Sequence, residues 1–358
     1  MSTAFPPSLR LVVATPPSPL GVWVAMVTRQ MLASATGADV GQFELNSDDA
    51  TERFLRDPPK GAALIVTHYP RPELIDHITA HSLPVILAID DPIACTAFHL
   101  HNIGGAVRDA IRPLTQSLSL IAAFAAVPGK TLIGVGDLGE AAATVAGRIA
   151  DRIRADGASI AARALASLGI SPATPLNGSI QAIVLHGASL QPLVDRFEPY
   201  EAGMIEQITG GIIDLCLGHP ASEIVWHYEF FYDGGTFTSP APMMIDLAGP
   251  ARCIYYGPFL HLPTGRWDAK VFLGFSNEIT ETHVKVDIFT DEIQENFVGK
   301  VTRGGIYTMP LTFDVVDPRQ PIQLRLFIDR GEIEGRIGLA MARLSPNQDD
   351  VREQDHSL

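Results

Sequence analysis

The feature that most constrains the fold is a change of pattern near residue 220. Before it, short apolar runs alternate with longer segments of helical periodicity. The apolar runs are Leu11–Ala14, Ala62–Val66, Val85–Ile89 and Thr131–Val135. Apolar runs that alternate with helices predict a parallel β-sheet whose two faces are covered by helices. We therefore expect the first 220 residues to form an α/β domain.

From Glu223 onward the helical periodicity disappears. Strand-length runs with aromatic residues, the first of them Val225–Tyr232, follow one another between Gly, Pro and Asp turns. Many short strands at regular spacing are typical of an antiparallel sandwich or jelly roll. The predicted domains are an α/β domain in residues 1–220, an antiparallel β-sandwich in residues 221–345, and a polar, disordered tail in residues 346–358.

Composition narrows the classes of function. Of 358 residues, 46% are hydrophobic and 18% charged, which is enough apolar material for two buried cores. The net charge of −14 argues against nucleic acid or an anionic membrane surface as the main partner. Cys95, Cys216 and Cys253 lie too far apart for a metal or redox pair, and no apolar run resembles a signal peptide or a membrane span. We therefore expect a cytoplasmic protein with no metal site, nucleic-acid partner or membrane span.

Polar residues follow two of the predicted parallel strands. Thr67-His68-Tyr69-Pro70 follows the second run, and Asp90-Asp91-Pro92 follows the third. Ligands bind at the carboxyl ends of such strands, and a histidine there is a candidate general base. Asp90 and Asp91 are predicted to cap the helix that follows, or to meet a hydroxyl-rich ligand or a cation.

The order of these motifs resembles the cytosolic sulfotransferase family. Thr15, Ser18 and Trp23 match its phosphate-binding loop with one inserted residue, and Thr67-His68-Tyr69-Pro70 matches its Thr-His-x-Pro turn. The resemblance implies a P-loop-type fold in which Thr15, Ser18 and Trp23 bind the nucleotide of 3′-phosphoadenosine-5′-phosphosulfate. It also implies that His68 deprotonates the acceptor hydroxyl.

The residues that would bind the sulfate donor depart from the family pattern. Pro17 replaces the cation of the loop, and Pro19 has no amide hydrogen to offer a phosphate. Asp90 stands where the family has an arginine, so it repels the phosphate that the arginine attracts. Lys60 and Lys130 are the lysines of the first 220 residues, which is few for a polyphosphate site. These changes predict that the protein has no cofactor and does not catalyse sulfate transfer.

The C-terminal part contains a second resemblance. Tyr255-Tyr256-Gly257-Pro258, followed by Leu262-Pro263-Thr264-Gly265, is similar to a feature of carbohydrate-associated β-modules that accompany bacterial glycan-processing enzymes. Sugar rings stack on exposed aromatic side chains. The candidates are Trp226, Tyr228, Tyr232, Tyr256 and Trp267. Because strand aromatics usually belong to the core, we expect at most two of these five residues to face a ligand.

Three hypotheses follow. The favoured one is a pseudoenzyme: a non-catalytic binding or assembly protein on a sulfotransferase-like scaffold, linked to bacterial polysaccharide biosynthesis. Its partner is a glycan or another protein of such a pathway, and self-association is left open. The second is an active transferase that uses His68 on a glycan hydroxyl. The third is a nicotinamide-dependent oxidoreductase, suggested by the G-x-G-x-x-G spacing of Gly134, Gly136 and Gly139.

Overall fold

The predicted parallel strands form one sheet. The computed structural model describes residues 9–153, 156–236, 239–279 and 281–347, so most of the predicted tail lies outside the described residues. The helices are α1 Pro19–Thr36, α2 Asp48–Arg56, α3 Pro72–Ala80, α4 Pro92–Ile103, α5 Val107–Ile121, α6 Ala142–Ala150, α7 Gly157–Ser167, α8 Leu176–Ile183, α9 Gln191–Val194 and α10 Pro199–Leu217. The strands are β1 Arg10–Ala14, β2 Gly41–Glu44, β3 Ala63–Thr67, β4 Val85–Ile89, β5 Thr131–Gly134, β6 Ile224–His227, β7 Tyr232–Asp233, β8 Ile245–Asp246, β9 Arg252–Tyr256, β10 Pro258–Leu260, β11 Gly265–Phe275, β12 Thr282–Phe289, β13 Ile293–Val301, β14 Gly305–Val315, β15 Ile322–Ile328 and β16 Arg336–Pro346.

The first sheet has the order β2-β3-β1-β4-β5, and every pair in it is parallel. Its three central strands are buried on both faces, as their unbroken apolar sequences require. Helix α1 contributes Leu20, Trp23 and Val27 to the core against one face of the sheet. The predicted parallel α/β sheet is confirmed.

The second half forms two antiparallel sheets, with orders β13-β12-β15-β9-β7 and β14-β11-β16-β6. Strand β10 joins the first of them by pairing with β15, and β8 joins the second by pairing with β16. Alternate residues of β11 and β15 are buried, which is the pattern of strands with one face on a core. The predicted antiparallel sandwich is confirmed.

The chain divides into two compact units. The first contains the described parts of Met1–Ala110, Leu120–Glu198 and Cys216–Gly218. The second contains Ile111–Ser119 and Pro199–Leu215 as well as the strands that follow His219. Most of α5 and α10 therefore belongs with the sandwich, although both helices lie within residues 1–220, the range predicted for the first domain.

Candidate functional site

The strand order of the parallel sheet reverses between the carboxyl ends of β1 and β4, and we call this edge position the crevice. These neighbouring strands are followed by connections that leave in opposite directions, since β1 leads to β2 and β4 leads to β5. Ligands of open α/β sheets bind at such a reversal of strand order. The loop from Thr15 to Ser18 follows β1, and Asp90 follows β4, so the fold places both at this crevice.

The loop after β1 is closed by its own hydrogen bonds. Ser18 caps α1, and its Oγ accepts a hydrogen bond from the Gly21 amide at 3.0 Å. The Val22 amide donates to the Ser18 carbonyl at 3.1 Å, and Pro19 has no amide hydrogen. Only the Leu20 amide of this first turn remains to be satisfied from outside the loop.

Asp90 supplies that partner. Its Oδ2 accepts a hydrogen bond from the Leu20 amide at 3.0 Å, and its Oδ1 accepts one from the Asp91 amide at 2.9 Å. Burial raises the pKa of Asp90, while hydrogen bonds from Leu20, Asp91 and the Ser18 hydroxyl act in the opposite direction. A helix N-terminus attracts anions through its free amides and its dipole. Here a carboxylate of the chain itself occupies the place of that anion.

Asp91 caps the next helix. Its Oδ1 accepts hydrogen bonds from the amides of Ile93 at 2.8 Å and Ala94 at 3.1 Å, which satisfies the start of α4. The predicted capping role is thus confirmed for Asp91. Asp90 instead joins the end of β4 to the start of α1.

His68 lies beside the same crevice, at the end of β3. Its Nδ1 lies 2.7 Å from the Thr15 carbonyl, and its amide donates to Asn46 Oδ1 at 2.7 Å. Because a carbonyl only accepts, Nδ1 carries the proton. Burial lowers the pKa of His68, against smaller opposing effects of the Thr15 bond and Glu44. The neutral ring therefore keeps an unprotonated Nε2, which is the form that a general base needs.

Trp23 does not join this site. Its side chain is fully buried on α1, and its indole Nε1 donates to Ser179 Oγ at 2.7 Å. The structure thus brings Thr15 and Ser18 to the crevice but places Trp23 in the core, which corrects its assignment to cofactor binding.

Part of the glycine-rich segment after β5, and the helix start that follows it, are held by hydrogen bonds within the chain. The Gly134 amide donates to Asp137 Oδ2 at 2.7 Å, and Arg148 holds the same carboxylate at 2.6 Å. At the start of α6, the Ala142 amide donates to the Thr174 carbonyl at 2.8 Å, and the Ala143 amide donates to Pro172 at 3.1 Å. The helix N-terminus is therefore occupied by main-chain carbonyls, which disfavours the oxidoreductase hypothesis.

In the second unit, two of the five aromatic candidates belong to the core. Trp226 and Trp267 are each 1% exposed, and the Trp267 indole donates to the Pro263 carbonyl at 3.0 Å. Their rings offer no face to a sugar, because both point into the sandwich. Tyr228 is half-buried in a 3₁₀ turn between β6 and β7.

The other two candidates form a cluster with Arg112 and Phe259, which were not among the predicted site residues. Tyr232 and Tyr256 are opposite each other on β7 and β9, and their half-buried rings stack with centroids 5.3 Å apart. Phe259 packs edge-on against both rings, and the Arg112 guanidinium lies over Tyr232 and Phe259 at 5.3 and 5.2 Å. We call Arg112, Tyr232, Tyr256 and Phe259 the aromatic cluster.

Metal and thiol chemistry receive little support. Within the described residues, no group of three or more His, Cys, Asp or Glu side chains is placed to hold a metal ion. Cys95 and Cys216 are buried, and burial raises the pKa of both thiols. Burial also raises the pKa of Cys253 to about 11, so these thiols stay protonated near neutral pH. Across the described ranges, every helix is too short or too polar to cross a bilayer.

No protein-family model matches this sequence, and no curated protein is significantly similar to it. Solved structures with partial similarity include carbohydrate-binding modules of β-sandwich fold. The CBM36-1 domain of a multidomain xylanase from the hindgut metagenome of Trinervitermes trinervoides is 12% identical, with 35% of this chain and 98% of that chain covered and a TM-score of 0.24. TmCBM61, solved with β-1,4-galactotriose, is 9% identical, with 39% and 96% covered and a TM-score of 0.23.

An arabinose-bound MgGH51 α-L-arabinofuranosidase is 13% identical over 36% of this chain, with a TM-score of 0.23. This chain spans about a quarter of that enzyme's length, with 23% covered. The expected parallel sheet is present in the N-terminal part, while the sulfotransferase resemblance itself stays a prediction.

Proposed function

We propose that this protein is a non-catalytic glycan-binding protein with a sulfotransferase-like α/β unit that does not bind a nucleotide donor. The observation that carries the proposal is the hydrogen bond between the buried Asp90 carboxylate and the Leu20 amide at 3.0 Å. An incoming phosphate would have to displace this carboxylate and tolerate its charge. Charge-assisted contacts supply much of the binding energy and the rate acceleration in phosphoryl and sulfuryl transfer. Here the charge at the start of α1 is that of the Asp90 carboxylate, which has the same sign as a phosphate.

Glycan binding is assigned to the second unit. The aromatic cluster offers stacked rings and an arginine on the surface of the sandwich, and sugars use both kinds of group. The polysaccharide pathway in which such a protein would work, as a binding or assembly factor, is part of the proposal.

Calorimetry with 3′-phosphoadenosine-5′-phosphate tests the first part. We expect no saturable heat from the wild-type chain, because the amides of the first turn of α1 are already satisfied. Asp76→Asn is the control to be compared with the wild type. It removes one exposed carboxylate of the same unit outside the crevice, and it should likewise give no saturable heat. Micromolar binding by the wild type would overturn the proposal that the donor site is closed.

The alternative is a transferase that uses His68 as general base on a glycan hydroxyl. It is favoured by one observation, the Thr15 carbonyl that keeps Nδ1 protonated and so leaves Nε2 able to accept a proton. The test is transfer of labelled sulfate from 3′-phosphoadenosine-5′-phosphosulfate to polysaccharide acceptors. We expect none from the wild type. Transfer that His68→Ala abolishes, while His101→Ala retains it, would establish the transferase instead.

A further inference from the structure

A wide, open surface depression of about 460 Å³, here called the cavity, adjoins the aromatic cluster within the second unit. Arg112, Pro113 and Gln116 of α5 line one side, and Phe259, His261 and Pro321 line the other. Its volume is within the range of small-molecule sites.

Phe259 has a φ of 64°, a left-handed conformation that is rare for a bulky residue. Strained backbone of this kind is concentrated at ligand sites, and here it places an aromatic ring in the cavity wall.

Arg112 is held rigidly at this cavity without an anionic partner. Its Nε donates to the Pro258 carbonyl at 3.1 Å, and its Nη2 donates to the Tyr232 hydroxyl at 2.9 Å. Both acceptors are neutral. Among the described residues, no carboxylate lies within ion-pair distance of Arg112. This is notable in a chain with 40 acidic and 26 basic residues. Two guanidinium contacts fix its orientation, and its remaining N–H groups can donate to a ligand.

The opposite wall adds a buried hydrogen-bond acceptor. His261 is 7% exposed, and its Nδ1 lies 2.9 Å from the Pro318 carbonyl, so the proton is on Nδ1. Burial lowers the pKa of His261, against smaller effects of that bond and of Asp317, which keeps the ring neutral. Gln116 can both donate and accept. A hydroxyl-bearing ligand therefore finds donors and acceptors beside an aromatic wall.

We propose that this cavity binds an anionic saccharide, with its carboxylate or sulfate group on Arg112 and its ring against Phe259. This inference rests on the glycan-binding function proposed above and names its site and ligand class. Arg112 supplies planar, charged donors that suit either anion. Gln116 and His261 supply contacts to hydroxyl groups.

Affinity electrophoresis of the full chain, with three forms of polysaccharide in the gel, tests this. The forms are a polyuronate, the same polymer after reduction of its carboxyl groups, and a sulfated polysaccharide of similar length. We expect retardation by at least one charged polymer and at least tenfold weaker binding to the reduced one. The charged polymer that retards more strongly identifies the anion as carboxylate or sulfate.

Variants locate the site. Arg112→Gln should weaken the charged interaction tenfold or more, since it removes a charge-assisted hydrogen bond. Gln116→Glu should weaken it similarly by placing an anion in the cavity, and it leaves the Arg112 contacts to the protein intact. Arg343→Gln is the matched control: Arg343 also stacks on an aromatic ring in the same unit, but it pairs with Glu223. Its binding should equal that of the wild type.

The outcomes separate the two claims. Retardation by charged and reduced polymers alike, unaffected by Arg112→Gln and Gln116→Glu, would overturn the anionic site and leave glycan binding standing. Absence of retardation by all three polymers, with the chain shown to be folded by circular dichroism, would overturn both. Loss of binding in Arg112→Gln alone would show that the arginine acts through packing, and would also overturn the proposal.

Discussion

At the scale of single residues, the interpretation of the crevice as a binding site depends on Asp90. A carboxylate at this position could repel a ligand, coordinate a cation or cap a helix, and the sequence left these roles open. The structure shows a further role, in which the carboxylate joins the end of β4 to the start of α1 through the Leu20 amide. The contact spans 70 positions of the chain, and no local pattern encodes it.

The role of Asp90 can be measured as stability. Asp90→Ala leaves the buried Leu20 amide without an acceptor, which should cost about 3 kcal/mol in the free energy of unfolding. Asp90→Asn keeps an acceptor for one of the two amides and leaves the other without one, so it should cost about 2 kcal/mol. The exposed control Asp76→Asn should stay within about 0.5 kcal/mol of the wild type. Urea unfolding followed by fluorescence measures all three, and a wild-type value for Asp90→Ala would refute the bridging role.

At the scale of elements, the predicted strands β1, β3, β4 and β5 lie within one residue of their observed bounds. Strand β2 was missed, because Gly41–Glu44 is an edge strand with mostly exposed residues and no apolar run. The run Val225–Tyr232, expected as one strand, is divided by a 3₁₀ turn into β6 and β7. Periodicity thus identifies buried elements, while edges and interruptions depend on neighbours that are distant in sequence.

The same limit applies to the sites. Tyr232 and Tyr256 were among the five predicted candidates because sugar rings stack on exposed aromatic side chains, and their role in binding stays a prediction. Arg112 was missed, since it comes from a helix 146 residues before Pro258, whose carbonyl it contacts. A helical arginine carries no local signal that it will reach a sandwich. The composition becomes useful only together with the structure. In a chain with more acidic than basic residues, an arginine without a carboxylate partner is informative.

The start of α1 gives a prediction at this scale. Gly21 lies against Thr15, and a Cβ added there would lie 2.3 Å from Thr15 Oγ1 and 2.7 Å from Thr15 Cγ2. Gly21→Ala should therefore displace the loop after β1 and lower the free energy of unfolding by about 1–3 kcal/mol, as overpacking does.

Gly147→Ala is the matched control for Gly21→Ala. Gly147 lies inside α6 of the same unit, and nothing lies within 4 Å of a Cβ added there. Alanine should stabilise that helix by about 0.5–1 kcal/mol, since it reduces the conformational freedom of the unfolded chain. Urea unfolding gives both values. Equal effects at the two glycines would mean that Thr15 yields to the new methyl group, and that the loop is less tightly packed than its contacts indicate.

At the scale of the whole molecule, the net charge of −14 and the proposed anionic ligand oppose each other. Proteins that bind acidic polymers through basic surfaces attract them over long distances, and salt weakens that attraction. This chain has the opposite long-range field. Near the proposed site, Asp233 and Asp317 act on Tyr255 and His261, so the local charges include acids as well as Arg112. Recognition must therefore come from short-range contacts in the cavity.

Salt should consequently speed association rather than slow it. Raising the ionic strength from about 0.01 M to about 0.1 M shortens the Debye length from about 30 Å to about 10 Å. The repulsion between chain and charged saccharide is then screened before contact, while the Arg112 contact, made at a few ångströms, is screened much less. We expect the association rate measured by surface plasmon resonance to rise several-fold over this range for the charged oligosaccharide. The reduced, neutral oligosaccharide is the control and should show little change. A falling rate for the charged ligand would indicate a basic docking surface elsewhere on the molecule, and would contradict a site that depends on one arginine in an acidic chain.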